Sequence, residues 1–206
     1  MVSLCVLVGS VSLLEPLVEW DVIAIWAFKA KVLLYAPASA SSYFHAASKA
    51  YSHLDYPLLW PFAMTWLWSW VGTADLQAVK PLGPALLCAM AAGFYGLLRR
   101  SIDRPRSLLF GALVLGLPMV LSQTARLMTD APLSFFVAVS FMCSYLWLKT
   151  GHRDDLRLAG FFTAGMLFTK SEGTGFFLIL LAGLAVGLVT QGCGLSRCGF
   201  SSCRWR

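Results

Sequence analysis

Apolar runs alternate along this chain with short polar joints, and charged residues fall in the joints rather than in the runs. The runs cover residues 2–18, 81–98, 107–123, 131–148, 158–169 and 173–190. A helix needs about 20 apolar residues to cross a hydrocarbon core of about 30 Å, and most of the runs approach that length. The pattern predicts an all-α polytopic membrane protein with about six transmembrane helices.

Residues 58–71 break the rhythm. As a helix they reach only about 21 Å, and Trp60, Trp66, Trp68 and Trp70 are side chains of the membrane interface. They predict an interfacial or re-entrant helix, which leaves residues 19–80 as one long loop on one side. Inside that loop, Trp20 to Tyr35 reads as a helix along the membrane surface, apolar almost all round, with Lys29 and Lys31 about 200° apart. A second helix starts after Ser41 or Ser42 and runs to His53, ended by Pro57, which biases Tyr56 toward extended backbone. It would set His45, Lys49 and His53 on one face at i, i+4 and i+8. After Gln191 the composition turns to Gly, Ser, Cys and Arg. Residues 191–206 are therefore expected to form an irregular cytoplasmic tail, a truncated or out-of-frame end to the module of residues 1–190.

Composition agrees with a bilayer environment. The chain of 206 residues is 58% hydrophobic and 13% charged, outside the usual range of a soluble domain. Its formal net charge of +6 reports topology, not nucleic-acid binding, because Lys and Arg cluster in joints. Arg99, Arg100, Arg104 and Arg106, then Lys149, Arg153 and Arg157, then Arg197, Arg204 and Arg206 mark the cytoplasmic side. The joints around Arg126 and Asp130, and around Lys170 and Glu172, then face outward together with residues 19–80. Seven of the ten acidic residues lie on that outer side. Cys5, Cys88 and Cys143 sit inside apolar runs as small hydrophobes. Cys193, Cys198 and Cys203 lack the close pairs of a zinc site.

Few groups remain for chemistry. Asp21 opens its helix, where a carboxylate suits the helix dipole; it reads equally as a cap or as a reactive acid. Arg126 and Asp130 are four residues apart, so a local ion pair is the plain reading and a second acid aimed at the outer cavity the functional one. Lys170 and Glu172 carry the same two readings. The His45, Lys49 and His53 stripe suits phosphate better than a metal, since Lys49 repels a cation, and an ordinary solvated face accounts for it as well.

Four stretches together resemble the GT-C-type glycosyltransferases, the broad group of protein O-mannosyltransferases and aminoarabinose transferases. They are Trp20-Asp21 with Trp26 to Lys31, Asp55-Tyr56-Pro57-Leu58-Leu59, Arg126 with Thr129 to Leu133, and Thr169 to Gly173. The resemblance implies transfer of a sugar from a polyprenyl-phosphate donor in the lipid bilayer to a hydroxyl of a glycan, lipid or protein acceptor. It implies inversion at the anomeric carbon and a site facing outward from a bacterial inner membrane. Asp21 would be the general base. Lys49, His53, Arg126 and Lys170 are candidates for holding phosphate, with Asp55, Tyr56, Asp130 and Glu172 beside them and a divalent metal as a further expectation. Val22 stands where several relatives have Glu, and Tyr56 where aminoarabinose transferases have Lys, which points away from that sugar. The competing readings are a transporter, which would want charges deep in its spans, and a non-catalytic membrane subunit.

Overall fold

The structure is a computed structural model that describes residues 2–197, and among these there is no strand. Its helices are α1 (Val2–Leu14), α2 (Asp21–Tyr35), α3 (Ala40–Phe44), α4 (Leu59–Val71), α5 (Leu76–Val79), α6 (Leu82–Leu98), α7 (Arg104–Leu115), α8 (Pro118–Ala125), α9 (Asp130–Thr150), α10 (Arg153–Thr169) and α11 (Gly173–Arg197). The all-α class stands, but six spans do not. Three helices are long and apolar enough to cross a bilayer, Leu76–Leu98, Asp130–Thr150 and Gly173–Thr190, or up to five spans if each of two bent pairs counts as one.

The other runs fall short for identifiable reasons. With 13 residues, α1 extends only about 20 Å. Arg153, Asp154, Asp155 and Arg157 occupy the first turns of α10 and shorten its apolar length. The run at 107–123 breaks at Gly116-Leu117, because Pro118 forces Leu117 into extended backbone and starts α8 at 62° to α7. The tail also differs from expectation: α11 continues as helix through Arg197, since extending a formed helix is far easier than nucleating one. Residues 198–206 lie outside the described residues.

The bundle is organised on α9. Half of its span is buried, against 11% of the span in α11, so α9 is the hub and α11 the rim. Gly151 closes α9 in the left-handed region (φ 73°), its N–H bonding the Trp147 carbonyl at 2.8 Å, and this reversal lays α10 antiparallel on α9. Leu87, Met90 and Phe94 of α6 meet Phe135 and Val139 of α9 in the core. Phe135 takes Phe94 and Phe162 edge-on, each at 5.8 Å.

Helix ends therefore sort to two poles. Arg100 clamps Asp155 with its two terminal guanidinium nitrogens, Nη1 and Nη2, fusing the joint after α6 to the start of α10 at an arginine pole. Asp155 is almost wholly buried, and the Arg100 hydrogen bonds hold its carboxyl below the usual carboxylate range. The starts of α6, α9 and α11 and the ends of α1, α8 and α10 gather at the opposite pole.

Residues 19–80 cover that opposite pole as a folded cap with its own core. Val22, Trp26 and Ala30 of α2 pack against Trp60, Met64 and Trp68 of α4. The four tryptophans expected at the interface thus divide: Trp60 and Trp68 are buried, whereas Trp66 and Trp70 are exposed and meet edge-on at 6.4 Å. Leu127, buried and at φ 59°, plugs the bundle into the cap core, and its carbonyl accepts the Trp60 indole N–H at 3.0 Å. Holding a leucine left-handed costs about 1–2 kcal/mol, which that burial offsets. Lys80 fixes the cap's other margin by donating to the Leu13 and Glu15 carbonyls at the end of α1.

Candidate functional site

The first turns of α2 form a π-helix, Asp21–Ala27, a wider coil than an α-helix. Trp26 lies near the end of that coil, fully inside the cap core, and its ring stacks on Tyr56 at 5.5 Å with the planes 13° apart. Tyr56 stacks also on His53, at 4.7 Å and 14°. The segment bearing these rings is not the expected helix. Here α3 ends at His45, Ala46 is extended, and Ala47–Ser52 is a 3-10 turn closed by His53 at φ 48°. His45, Lys49 and His53 consequently form no stripe. Lys49 instead lies over the Phe28 ring at 6.0 Å.

Lys29 holds this turn in place. Its ammonium, buried completely, donates to the carbonyls of His53 and Tyr56 and lies 5.8 Å from the ring centroids of both Trp26 and Tyr56. Burial lowers its pKa from 10.5 to about 8, with the Asp55 charge working the other way. Lys29 is not among the site residues expected from the sequence, where it is one of two lysines about 200° apart on an apolar helix. Its Trp26 and Tyr56 neighbours come from a long-range fold that periodicity does not encode.

On the bundle side, Lys170 joins the two later joints. Its ammonium donates to Asp130 at 2.8 Å, pairs with Glu172 at 3.3 Å, and lies 5.9 Å from the Tyr56 ring centroid. Burial opposes its charge, but the two carboxylates outweigh it and raise the pKa. Tyr56 completes the link by donating its hydroxyl to Glu172 at 3.4 Å, and burial, reinforced by the Glu172 charge, raises the phenol's pKa. Arg126 does not pair with Asp130 as their spacing suggests. It reaches Glu19 at 2.8 Å, because left-handed Leu127 turns the chain between α8 and α9 and takes the two residues off a common helix.

The structure thus brings His53, Tyr56, Asp130, Lys170 and Glu172 together, with Asp55 in the same turn as Tyr56. Arg126 stands with Glu19 at a shallow cleft of about 370 Å3, open mouth included, between residues 15–19 and the end of α8. Neither Asp21 nor Asp130 lines that cleft. Asp21 is exposed, caps nothing, and its carboxylate has no hydrogen-bond or ion-pair partner among the described residues. It lies between Glu19, held by Arg126, and Trp26, held by Tyr56. Among the described residues no three His, Cys, Asp or Glu side chains gather to hold a metal. Asp130 and Glu172 share the Lys170 ammonium, whose charge would oppose a second cation there, so this set does not fit a divalent ion.

The fold defines an all-α membrane protein with a folded cap over one pole. No protein-family model, curated protein or solved structure matches the chain.

Proposed function

We propose that the protein transfers a sugar from a polyprenyl-phosphate donor to an acceptor hydroxyl at the outer face of a bacterial inner membrane. One observation carries this reading: the four stretches that resemble GT-C transferases, scattered from residue 20 to residue 173, meet around Tyr56. Trp26 and Lys29 come from the first, Tyr56 from the second, Asp130 from the third, and Lys170 and Glu172 from the fourth. The charges within the three spans, Lys80, Asp130 and Lys149, stand within about one turn of an end, whereas an ion path would need them at mid-depth. This favours chemistry at headgroup depth over transport.

In the proposed reaction the acceptor oxygen attacks the anomeric carbon opposite the phosphate, and the bond from that carbon to the phosphate oxygen breaks. The acceptor proton passes to the Asp21 carboxylate, an exposed acid in the first of the four stretches with no cation on it. Polyprenyl phosphate leaves as a stable anion. Lys170 stabilises its developing charge by exchanging a carboxylate partner for the phosphate, and Arg126 is the second cation within the same pole.

Membranes carrying the protein are supplied with labelled polyprenyl-phosphate sugars. Transfer by the wild type and its loss, by about 100-fold or more, in Asp21→Asn at equal membrane insertion is expected. Unchanged transfer in the variant removes Asp21 as base. Absence of transfer from every donor in the wild type overturns the reading.

A further inference from the structure

The arginine pole carries cations that the fold leaves unneutralised. Its three acids are all engaged: Asp103 caps α7 and faces Arg106 at 3.7 Å, Asp154 pairs with Arg157 at 2.8 Å, and Asp155 is clamped by Arg100. Arg104, Lys149 and Arg153 are exposed, with no ion pair or side-chain hydrogen bond among the described residues. Arg99 is exposed too and donates only to the Ile102 carbonyl, which leaves its charge uncompensated. The Arg100–Asp155 clamp draws the joints bearing these four residues together.

Depth identifies the partner. Arg99 directly follows the span ending at Leu98, and Lys149 is the penultimate residue of the span ending at Thr150. The 21 residues of α9 reach about 32 Å, the thickness of a hydrocarbon core, so these charges stand where headgroups begin. Exposed Leu108 and Leu109 of α7 and Leu156 of α10 continue from the charged rim. A soluble anion has no use for that apolar flank, whereas a phospholipid matches both parts.

We infer that the arginine pole is a docking surface for anionic phospholipid, the headgroup phosphate lying among Arg99, Arg104, Lys149 and Arg153 and the acyl chains along Leu108, Leu109 and Leu156. This surface is independent of the transfer site at the other pole. Each Lys or Arg near an anionic headgroup contributes about 1 kcal/mol, or about fivefold in affinity.

The test is native mass spectrometry of the full chain in detergent, titrated with phosphatidylglycerol or phosphatidylcholine. The wild type is expected to retain phosphatidylglycerol about tenfold or more over phosphatidylcholine. Combined Arg99→Gln, Arg104→Gln, Lys149→Gln and Arg153→Gln should abolish that preference, while Asp154→Asn with Arg157→Gln, which removes a neutral pair, should leave it intact. Should the fourfold variant not fold, Lys149→Gln and Arg153→Gln are titrated singly, each with an expected loss of about fivefold. Equal retention of the two lipids by the wild type, or a preference undiminished in the variants, overturns the inference. So does displacement of bound lipid by excess inorganic phosphate, which would make the surface a site for the free anion.

Discussion

Lys29 is buried against two aromatic rings with carbonyls, not a carboxylate, as its hydrogen-bond partners, and its lowered pKa makes cap stability depend on pH. The folded state releases the Lys29 proton near pH 8, whereas the unfolded chain keeps it to about 10.5. Between those values the unfolded state binds more protons, so stability rises with pH, by up to about 3 kcal/mol if the whole shift is realised. The raised pKa of Tyr56 acts in the opposite sense above about pH 10, where the unfolded phenol ionises first. The unfolding midpoint of detergent-solubilised protein is therefore expected to climb from pH 8 to about 10 and then level. Lys29→Met should flatten the climb, and an unaltered profile in that variant would remove Lys29 as its source. Nothing about this residue was legible in the sequence beyond its place in a motif. Asp21, Tyr56, Asp130, Lys170 and Glu172 were legible as polar groups stranded between apolar runs. The local Lys170–Glu172 pair was legible from its spacing, but the contacts of Lys170 with Asp130 and of Tyr56 with Glu172 were not, because spacing rules describe neighbours in one segment and these join separate ones.

Helices and joints were largely legible as elements, since long apolar runs admit few alternatives. Their breaks were harder to place. Pro118 announces the bend between α7 and α8, but no comparable signal marks the end of α3 at His45, where the cap core, not local propensity, decides the backbone. The contact that sets the site-bearing joint against α6 is likewise silent in the sequence. Gly83 lies so close to α8 that an added Cβ would stand 2.4 Å from the Thr124 carbonyl oxygen, a backbone atom with little room to move. Gly83→Ala should cost about 1–3 kcal/mol and shift the end of α8, loosening the Arg126–Glu19 pair two residues further on. Gly96, in the same helix, has nothing within 4 Å of an added Cβ. Gly96→Ala should be neutral or stabilise by up to about 1 kcal/mol through helix propensity. Thermal unfolding of the two variants side by side separates the contact from the helix, and equal midpoints would show that α6 and α8 are not packed this tightly.

At the scale of the molecule, the two poles differ in charge as well as in structure. The two joints of the arginine pole, residues 99–106 and 149–157, hold seven Lys and Arg residues against three acids, whereas the capped pole holds seven acids against six Lys and Arg. Positive joints favour the cytoplasmic side, so the expected orientation puts the cap outward. The test is a chain with its six cysteines replaced by Ser and single cysteines returned at Ser39 in the cap, Ser171 in the joint before α11 and Ser101 at the arginine pole. An impermeant maleimide on intact cells should label the first two, and the third only after permeabilisation. Label at Ser101 alone would invert the protein and put Asp21 and Lys170 in the cytosol, away from the outer face that the proposed acceptor requires. Label at all three would mean that α6 does not cross, because Ser101 and the start of α6 would share a side. The pairing of Ser39 with Ser171 decides most. Tyr56 and Glu172 touch only if the cap and the α10–α11 joint lie on one side of the bilayer, so opposite labelling of those two positions would dissolve the site around Tyr56, whatever reaction it performs.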